Sequence, residues 1–378
     1  MMRQRLFTPG PTPVPESVML RMAQPLIHHR SPEFQELFAR VNENLQYVFQ
    51  TKQPVITLTS SGSGAMEAAI VNLLSPGDTI IYVNGGKFGG RWGDIARAYG
   101  VNAIEITVEW GNAVQPEQVE YLLKKTPGVK AVMLTHSETA TGVFTDVKKI
   151  NEIVKANSDA LTVVDGITSV GAHELKFDEW GLDCVITGSQ KGLMIPPGLA
   201  FIALSERAWE KTKTSTLPKF YFSLATARKA LQTNDTSWTP AITLILGLDS
   251  ALQMMRDEGI ENIWARHERL TRAVRSGCTA LGLKLFGSSP SHAVTAVWLP
   301  ESIDGKLFLD LLKKKYGITT AGGQGDYKGK IFRISHLGYY DEADITALFT
   351  CMELALKDAG YHFAQGAGVA AAQQELMK

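Results

Sequence analysis

Between residues 55 and 204 the chain alternates short apolar, β-branched runs with stretches whose apolar residues recur at helical spacing. This alternation constrains the fold more than any other feature. Residues 55–59, 79–83, 131–135, 160–164, 184–187 and 199–204 read as strands. Met66, Ala69, Ile70, Leu73 and Leu74 share one helical face after the first strand, and Pro76-Gly77-Asp78 stops that helix. Val147, Ile150 and Val154 mark another helix after the third strand. Strands joined through helices run parallel and need cover on both faces. The pattern therefore predicts an α/β domain, a mainly parallel sheet between helices, with its ligand at the carboxyl edge of the sheet.

The flanks differ. Pro9, Pro11, Pro13 and Pro15 bar both helix and inner strand, so residues 1–20 read as an extended arm lying on the surface or across a partner. A helix over residues 240–257 ends at Glu258-Gly259 and closes a large domain of residues 21–257. Beyond it, helix near 261–281, strands near 293–299 and 330–335, and helix near 342–358 form a smaller C-terminal α+β domain, residues 258–378. Ile345, Leu348, Phe349 and Met352 make the apolar face of that last helix, and the Ala- and Gln-rich tail, 364–378, reads as helix or as a frayed end. A chain of 378 residues suits such a division.

Charge narrows the partners. Lys plus Arg (38) equals Asp plus Glu (38), so no global field draws in nucleic acid or an anionic membrane. Small molecules or a second copy of the chain are the expected partners. Cys184, Cys278 and Cys351 are odd in number, far apart and in no metal-ligand spacing, which suits a reducing compartment and no metal site. The N-terminal sequence lacks the apolar stretch of a signal peptide, no run is apolar enough to span a bilayer, and the C-terminus is no peroxisomal address. The expected location is the cytoplasm.

Asp165 closes Ala160-Leu-Thr-Val-Val-Asp165, and Lys191 ends Asp183-Cys-Val-Ile-Thr-Gly-Ser-Gln-Lys191. Taken singly, the aspartate reads as well as a helix cap, and the lysine as a solvated surface residue. Together, an acid at one strand end and a lysine just past the next suit pyridoxal 5′-phosphate (PLP). The lysine would hold the aldehyde as a Schiff base, and the carboxylate would keep the pyridine nitrogen protonated, the electron sink needed for chemistry at an amino acid's α-carbon. Pro196-Pro197-Gly198, a rigid turn, suits a lysine bent inward and partly desolvated. Ser61-Gly62-Ser63-Gly64, between strand and helix, is a candidate phosphate cradle: glycines admit the backbone, hydroxyls donate, and the helix start offers free N–H groups.

Gly188-Ser-Gln-Lys191 followed by Pro196-Pro-Gly198 resembles the class V (fold type I) PLP aminotransferases, above all the alanine–glyoxylate and serine–glyoxylate (serine–pyruvate) enzymes. Ser61-Gly-Ser-Gly-Ala-Met-Glu67, Thr135-His-Ser-Glu-Thr-Ala-Thr-Gly142, Val164-Asp-Gly-Ile-Thr-Ser169 and Lys330-Ile-Phe-Arg-Ile334 match in order, across nearly the whole chain. The resemblance implies that Lys191 is the Schiff-base lysine and Asp165 the partner of the ring nitrogen. Ser61, Gly62, Ser63 and Gln190 would surround the phosphate, Thr139 would contact the phenolic oxygen, and Ile167 would pack on one ring face. Phe88 falls where the family stacks an aromatic, often tryptophan, on the ring. Thr236 and Thr239 match a stretch that reaches the phosphate of a neighbouring subunit, implying a homodimer; a helix cap before Pro240 is the plainer reading of Thr239. Arg333 would hold the substrate's α-carboxylate through its planar fork.

The implied activity is ping-pong transamination between a small amino acid, alanine or serine, and an oxo acid, glyoxylate. Aspartate would need a second cation, for which His28-His29-Arg30 is placed; ureidoglycine or phosphonate amines also fall within the class. A lyase of the cysteine desulfurase type would need a mobile catalytic cysteine, and Gly322-Gly-Gln-Gly-Asp326 contains none. A non-catalytic binding protein would have no need of Lys191, Asp165 and Arg333 together.

Overall fold

Period-two alternation sorts each strand's side chains between two cores. Ile81, Val83, Val132, Leu134, Val164 and Val185 enter one buried cluster, while Ile80, Tyr82, Met133, Val163 and Ile186 enter the other. The computed structural model describes residues 3–378; Met1 and Met2, the first residues of the expected arm, lie outside them. Seven strands form the main sheet, in the spatial order Val55–Leu58, Ala200–Leu204, Cys184–Gly188, Leu161–Asp165, Ala131–Thr135, Thr79–Asn84, Asn102–Thr107. Ala200–Leu204 runs antiparallel to both neighbours, and the other pairings are parallel. The helices Pro32–Phe49, Val147–Asn157 and Ile242–Glu258 cover one face; Gly62–Leu73 and Lys87–Ala98 cover the other.

Several elements had weak sequence signals. Asn102–Thr107 is an edge strand, largely solvent-exposed, so its alternation is faint. The helix Lys87–Ala98 contains Gly89, Gly90 and Gly93, which read as punctuation. Two of these glycines are there for close packing: a Cβ on Gly93 would overlap the Tyr82 ring, and one on Gly89 would come within 2.5 Å of the Val83 carbonyl.

A third core belongs to the C-terminal part. Val294–Trp298 and Ala321–Gly322 flank Ile331–Ser335 in an antiparallel sheet, backed by the helices Ile260–Ala280, Gly305–Lys314 and Glu342–Asp358. The tail forms the helix Ala367–Leu376, whose Ala372 is buried in this core.

The arm does not simply lie on the surface. Arg5–Leu6 pairs parallel with Ile318–Thr319, the Ser335 N–H donates to the Phe7 carbonyl (2.8 Å), and the Tyr340 hydroxyl donates to the Leu6 carbonyl (2.7 Å). Phe7 is fully buried in the third core, stacked on Tyr340. Prolines bar such pairing only from residue 9 onward, which leaves residues 5–7 free to join a strand. The arm then crosses to the large sheet, where the Thr12 N–H donates to the Gln190 carbonyl (3.2 Å). Among the described residues, no helix is long and apolar enough to cross a membrane.

If Phe7 anchors the arm, Phe7→Ala should destabilise the protein by about 3–5 kcal/mol, as for a buried aromatic. Urea unfolding measures this directly. A change within about 0.5 kcal/mol, typical of surface positions, would mean that the arm contributes nothing to the small core.

Candidate active site

Parallel pairing aligns the carboxyl ends of Ala131–Thr135, Leu161–Asp165 and Cys184–Gly188 on one edge of the sheet. Val55–Leu58 points the same way, because the two antiparallel pairings of Ala200–Leu204 cancel. The turns that leave this edge carry Ser61–Ser63, Glu138–Thr139, Asp165–Ile167 and Gln190–Lys191. They enclose a cavity of about 270 Å³, bordered also by Gly10, Phe88, Arg91 and Thr168. Ser61, Gly62, Ser63, Phe88, Thr139, Asp165, Ile167, Gln190 and Lys191 all line it.

Lys191 is only 7% exposed, and its Nζ donates to the Pro9 carbonyl of the arm. A Cβ on Gly10, whose φ is +145°, would lie 2.6 Å from that Nζ, so the arm approaches the amine at a position open only to glycine. Burial pulls the Lys191 amine down to about 8, and the Arg333 cation pushes the same way against the Asp165 and Glu138 carboxylates. Asp165, 3% exposed, accepts from the Ile167 N–H (2.8 Å) through one oxygen. Burial lifts its carboxyl to about 7; the Ile167 N–H opposes the rise, and the nearby Glu138 adds to it.

Ser61 caps the helix Gly62–Leu73 in extended backbone but makes no side-chain cap bond, leaving its hydroxyl free beside the first helical N–H groups. A Cβ on Gly62 would overlap Ile167, so the Ser61–Gly64 turn and the isoleucine fit together only through glycine. Gln190 Oε1 is buried without a partner. The free Ser61 hydroxyl and the unpaired N–H groups of the helix start are the donors that fit a bound phosphate group, to which Gln190 would donate only through Nε2. Thr139 Oγ1 shares a 2.5 Å hydrogen bond with Thr168 Oγ1.

Arg333, 5% exposed, comes from the small domain. Its Nε and Nη2 donate to the Gly322 carbonyl (3.0 and 2.8 Å), and Nη1 donates to the Thr139 carbonyl (2.9 Å). Three of five N–H groups are thereby held, leaving one on each terminal nitrogen for a carboxylate. Thr236 and Thr239 stand outside the cavity. Thr236 donates to the Trp238 carbonyl (2.8 Å), Thr239 is exposed, and Arg30 lies with them, paired to Asp235 and donating to the Thr236 carbonyl (2.9 Å).

Two residues at the site had no role assigned from sequence. Glu138 is buried and accepts from the N–H groups of Phe88 (3.1 Å), Gly89 (2.9 Å) and Ala140 (2.8 Å), pinning the start of the helix Lys87–Ala98. Burial raises its carboxyl despite those donors. Arg91 lines the cavity and donates from Nη1 to Ser63 Oγ (2.8 Å). No sequence signal marked Arg91, because the helix that places it one turn after Phe88 was itself obscured by its glycines.

A family model described as Aminotransferase class-V matches residues 5–348. The chain is 46% identical to a soluble hydrogenase small subunit of a Synechococcus species, covering 98% of each. It is 36% identical to an L-aspartate–glyoxylate aminotransferase of Paracoccus denitrificans, over 98% of this chain and 95% of that one. It is 37% identical to a serine–glyoxylate aminotransferase of Hyphomicrobium methylovorum, over 99% and 94%. Among solved structures, a ureidoglycine–glyoxylate aminotransferase of Bacillus subtilis superposes with a TM-score of 0.94 at 30% identity, covering 100% of this chain and 99% of that one.

Because Lys191 titrates near 8 rather than at its ordinary 10.5, folding releases its proton across that window. Its contribution to stability therefore rises with pH between those values, and the full penalty for burying the charge is present below them. Cofactor-free Lys191→Met should melt above the wild-type protein at about pH 7, with the gap narrowing by about pH 10. Thermal melts of both proteins at the two pH values decide this; a gap independent of pH would remove the buried charge as its cause.

Proposed function

We propose that the chain, which belongs to the class-V aminotransferase family, uses PLP to move the amino group of a small L-amino acid, alanine or serine, to glyoxylate, yielding glycine and a 2-oxo acid. The observation that carries this reading is the single cavity in which Lys191 and Asp165 are buried together, with Arg333, two of its N–H groups uncommitted, held to the carbonyl of Thr139 at its border.

Ser61, Gly62, Ser63 and Gln190 would hold the phosphate, Asp165 the ring nitrogen and Thr139 the phenolic oxygen, with Ile167 and Phe88 against the ring faces. When bound, the cofactor supplies an electron sink for the substrate's α-carbon. Arg333 orients the substrate by its α-carboxylate, so that the α-hydrogen faces Lys191. Lys191 Nζ, its basicity lowered toward neutrality by burial, would take that proton and hand it within the same half-reaction to the cofactor carbon that carries the aldehyde, and the return half-reaction would run the transfer in reverse. Asp165, whose carboxyl burial lifts to about 7, would be held ionised by a protonated ring nitrogen set against it.

The arrangement favours a donor with one carboxylate. Arg333 serves that group, and Arg30 is paired to Asp235. The relative named for aspartate keeps a dicarboxylate donor as the alternative. Cys184 and Cys278 are buried, with burial pushing Cys278 up to about 12, which speaks against a cysteine-dependent lyase. The hydrogenase name of one relative finds no support in the donor set: among the described residues, no group of three or more His, Cys, Asp or Glu could hold a metal ion.

Thr236 and Thr239, exposed or half-buried on a face shared with Phe220 (77% exposed) and Tyr221, support a homodimer in which they complete the partner's phosphate site. Three free thiols support a reducing, cytoplasmic setting. The separate third core supports a small domain (258–378) distinct from a large domain (21–257); the arm (1–20) is not extended throughout, because Glu16–Met22 is a helix whose Val18 joins the first core, while Phe7 belongs to the third.

Absorbance titration with alanine, serine, aspartate and cysteine in turn, followed by glyoxylate, ranks the donors. Discharge of the bound cofactor by alanine or serine and recharging by glyoxylate is the expected result; indifference to all four would end the transamination reading. Lys191→Ala should abolish turnover in a protein that still folds, and normal turnover by that variant would refute the role of the lysine. Arg333→Ala should raise KM for alanine by about 30- to 150-fold, corresponding to loss of about 2–3 kcal/mol of charge-assisted hydrogen bonding. An unchanged KM would assign the carboxylate to another residue.

A further inference from the structure

The phosphate cradle is built from neutral donors: two serine hydroxyls, a glutamine and backbone N–H groups. A phosphate monoester carries nearly two negative charges at neutral pH. Among the described residues that line the cavity, Arg91 is the one cation besides Lys191, and no other part of the proposed chemistry uses it. It is half-buried, lines the cavity, and makes one hydrogen bond, from Nη1 to Ser63 Oγ at 2.8 Å. Among the described residues no carboxylate pairs with it at ion-pair distance. Its guanidinium carbon lies 4.9 Å from the centre of the Phe88 ring, within the range of a cation–π contact. Phe88 and Arg91 are three apart on the helix Lys87–Ala98, so their side chains share one face.

We propose that Arg91 is a positioning residue for the cofactor: it provides the counter-charge for the phosphate group beside Ser63 while bracing the Phe88 ring at the cavity wall. Four of its five N–H groups are uncommitted, and a guanidinium takes phosphate oxygens two at a time. Donation to Ser63 Oγ also leaves that hydroxyl's own proton free to donate to the ligand. A site so built binds the phosphate ester in preference to the unphosphorylated aldehyde. This inference rests on the PLP reading for the identity of the ligand, and on the geometry of Ser63, Phe88 and Arg91 for the role of the arginine.

The test uses cofactor-stripped wild-type protein, Arg91→Gln and Arg91→Lys, with circular dichroism melts to establish that each is folded. Pyridoxal phosphate and pyridoxal are titrated separately by absorbance, and inorganic phosphate is tested for protection against thermal unfolding. Arg91→Gln should weaken pyridoxal phosphate binding by about 10- to 100-fold, as for one lost charge-assisted contact, and pyridoxal binding by less than about twofold. Inorganic phosphate should raise the melting temperature of the wild-type protein but not of Arg91→Gln. Arg91→Lys, which keeps the charge without the fork, should fall between the two. Equal weakening of both aldehydes would reduce Arg91 to a packing role, and unchanged pyridoxal phosphate affinity would remove it from the site; either result overturns the proposal. If the wild-type protein takes up no pyridoxal phosphate but inorganic phosphate protects it in an Arg91-dependent way, the cofactor reading falls and the role of Arg91 in binding phosphate stands.

Discussion

Parallel strand pairing is the constraint on which the site depends. In a parallel sheet every strand leaves by the same edge, so groups far apart in the chain are gathered without any direct bond between them. Asp165 ends one strand, Gln190 and Lys191 follow the next, and Glu138 and Thr139 follow a third. The antiparallel strand Ala200–Leu204 lies between Cys184–Gly188 and Val55–Leu58, and its two reversals return the latter to the common direction. That is why the Ser61–Gly64 turn opens on the same cavity as Lys191.

Such an edge collects charge at low exposure. Lys191, Asp165, Glu138 and Arg333 are all buried, and burial is the first cause of each one's displaced titration. A carboxyl lifted to about 7 and an amine lowered to about 8 by burial border the same cavity. Titratable groups pushed toward neutrality in a cavity mark functional sites, because structure alone rarely repays the desolvation involved.

The site also ties the molecule together. Arg333 rises from the small sheet to donate to the Thr139 carbonyl, in a turn beyond the large sheet's strand Ala131–Thr135. The arm is anchored by Phe7 in the third core and reaches Lys191 through Pro9. Changes in the relative placement of the small core would therefore be felt at both the carboxylate fork and the lysine. Glu138 adds a third link, since the N–H groups it accepts from set the start of the helix that carries Phe88 and Arg91.

Much of this was written locally. Strand and helix periods are properties of short windows, so the alternation from Val55 to Leu204 and the positions of Asp165 and Lys191 at strand exits could be read from the sequence alone. The spacing of Ser61, Gly62 and Ser63 before a helix was equally local. The helix Lys87–Ala98 was hidden because its glycines are chosen for the Tyr82 ring and the Val83 carbonyl, which are brought against it only by folding. The interior path of residues 5–7 depends on pairing with Ile318–Thr319, more than three hundred positions away. Arg91 and Glu138 have no local pattern that distinguishes them from solvated charges; their place follows from which turns meet at the sheet edge. The separation of Thr236 and Thr239 from their own chain's cavity is likewise a matter of three-dimensional placement. The sequence determined which residue types stand at strand ends, because that is set by neighbours along the chain. Only the tertiary structure decided which of them share a cavity, because that is set by pairing between distant strands and by what their burial excludes from water.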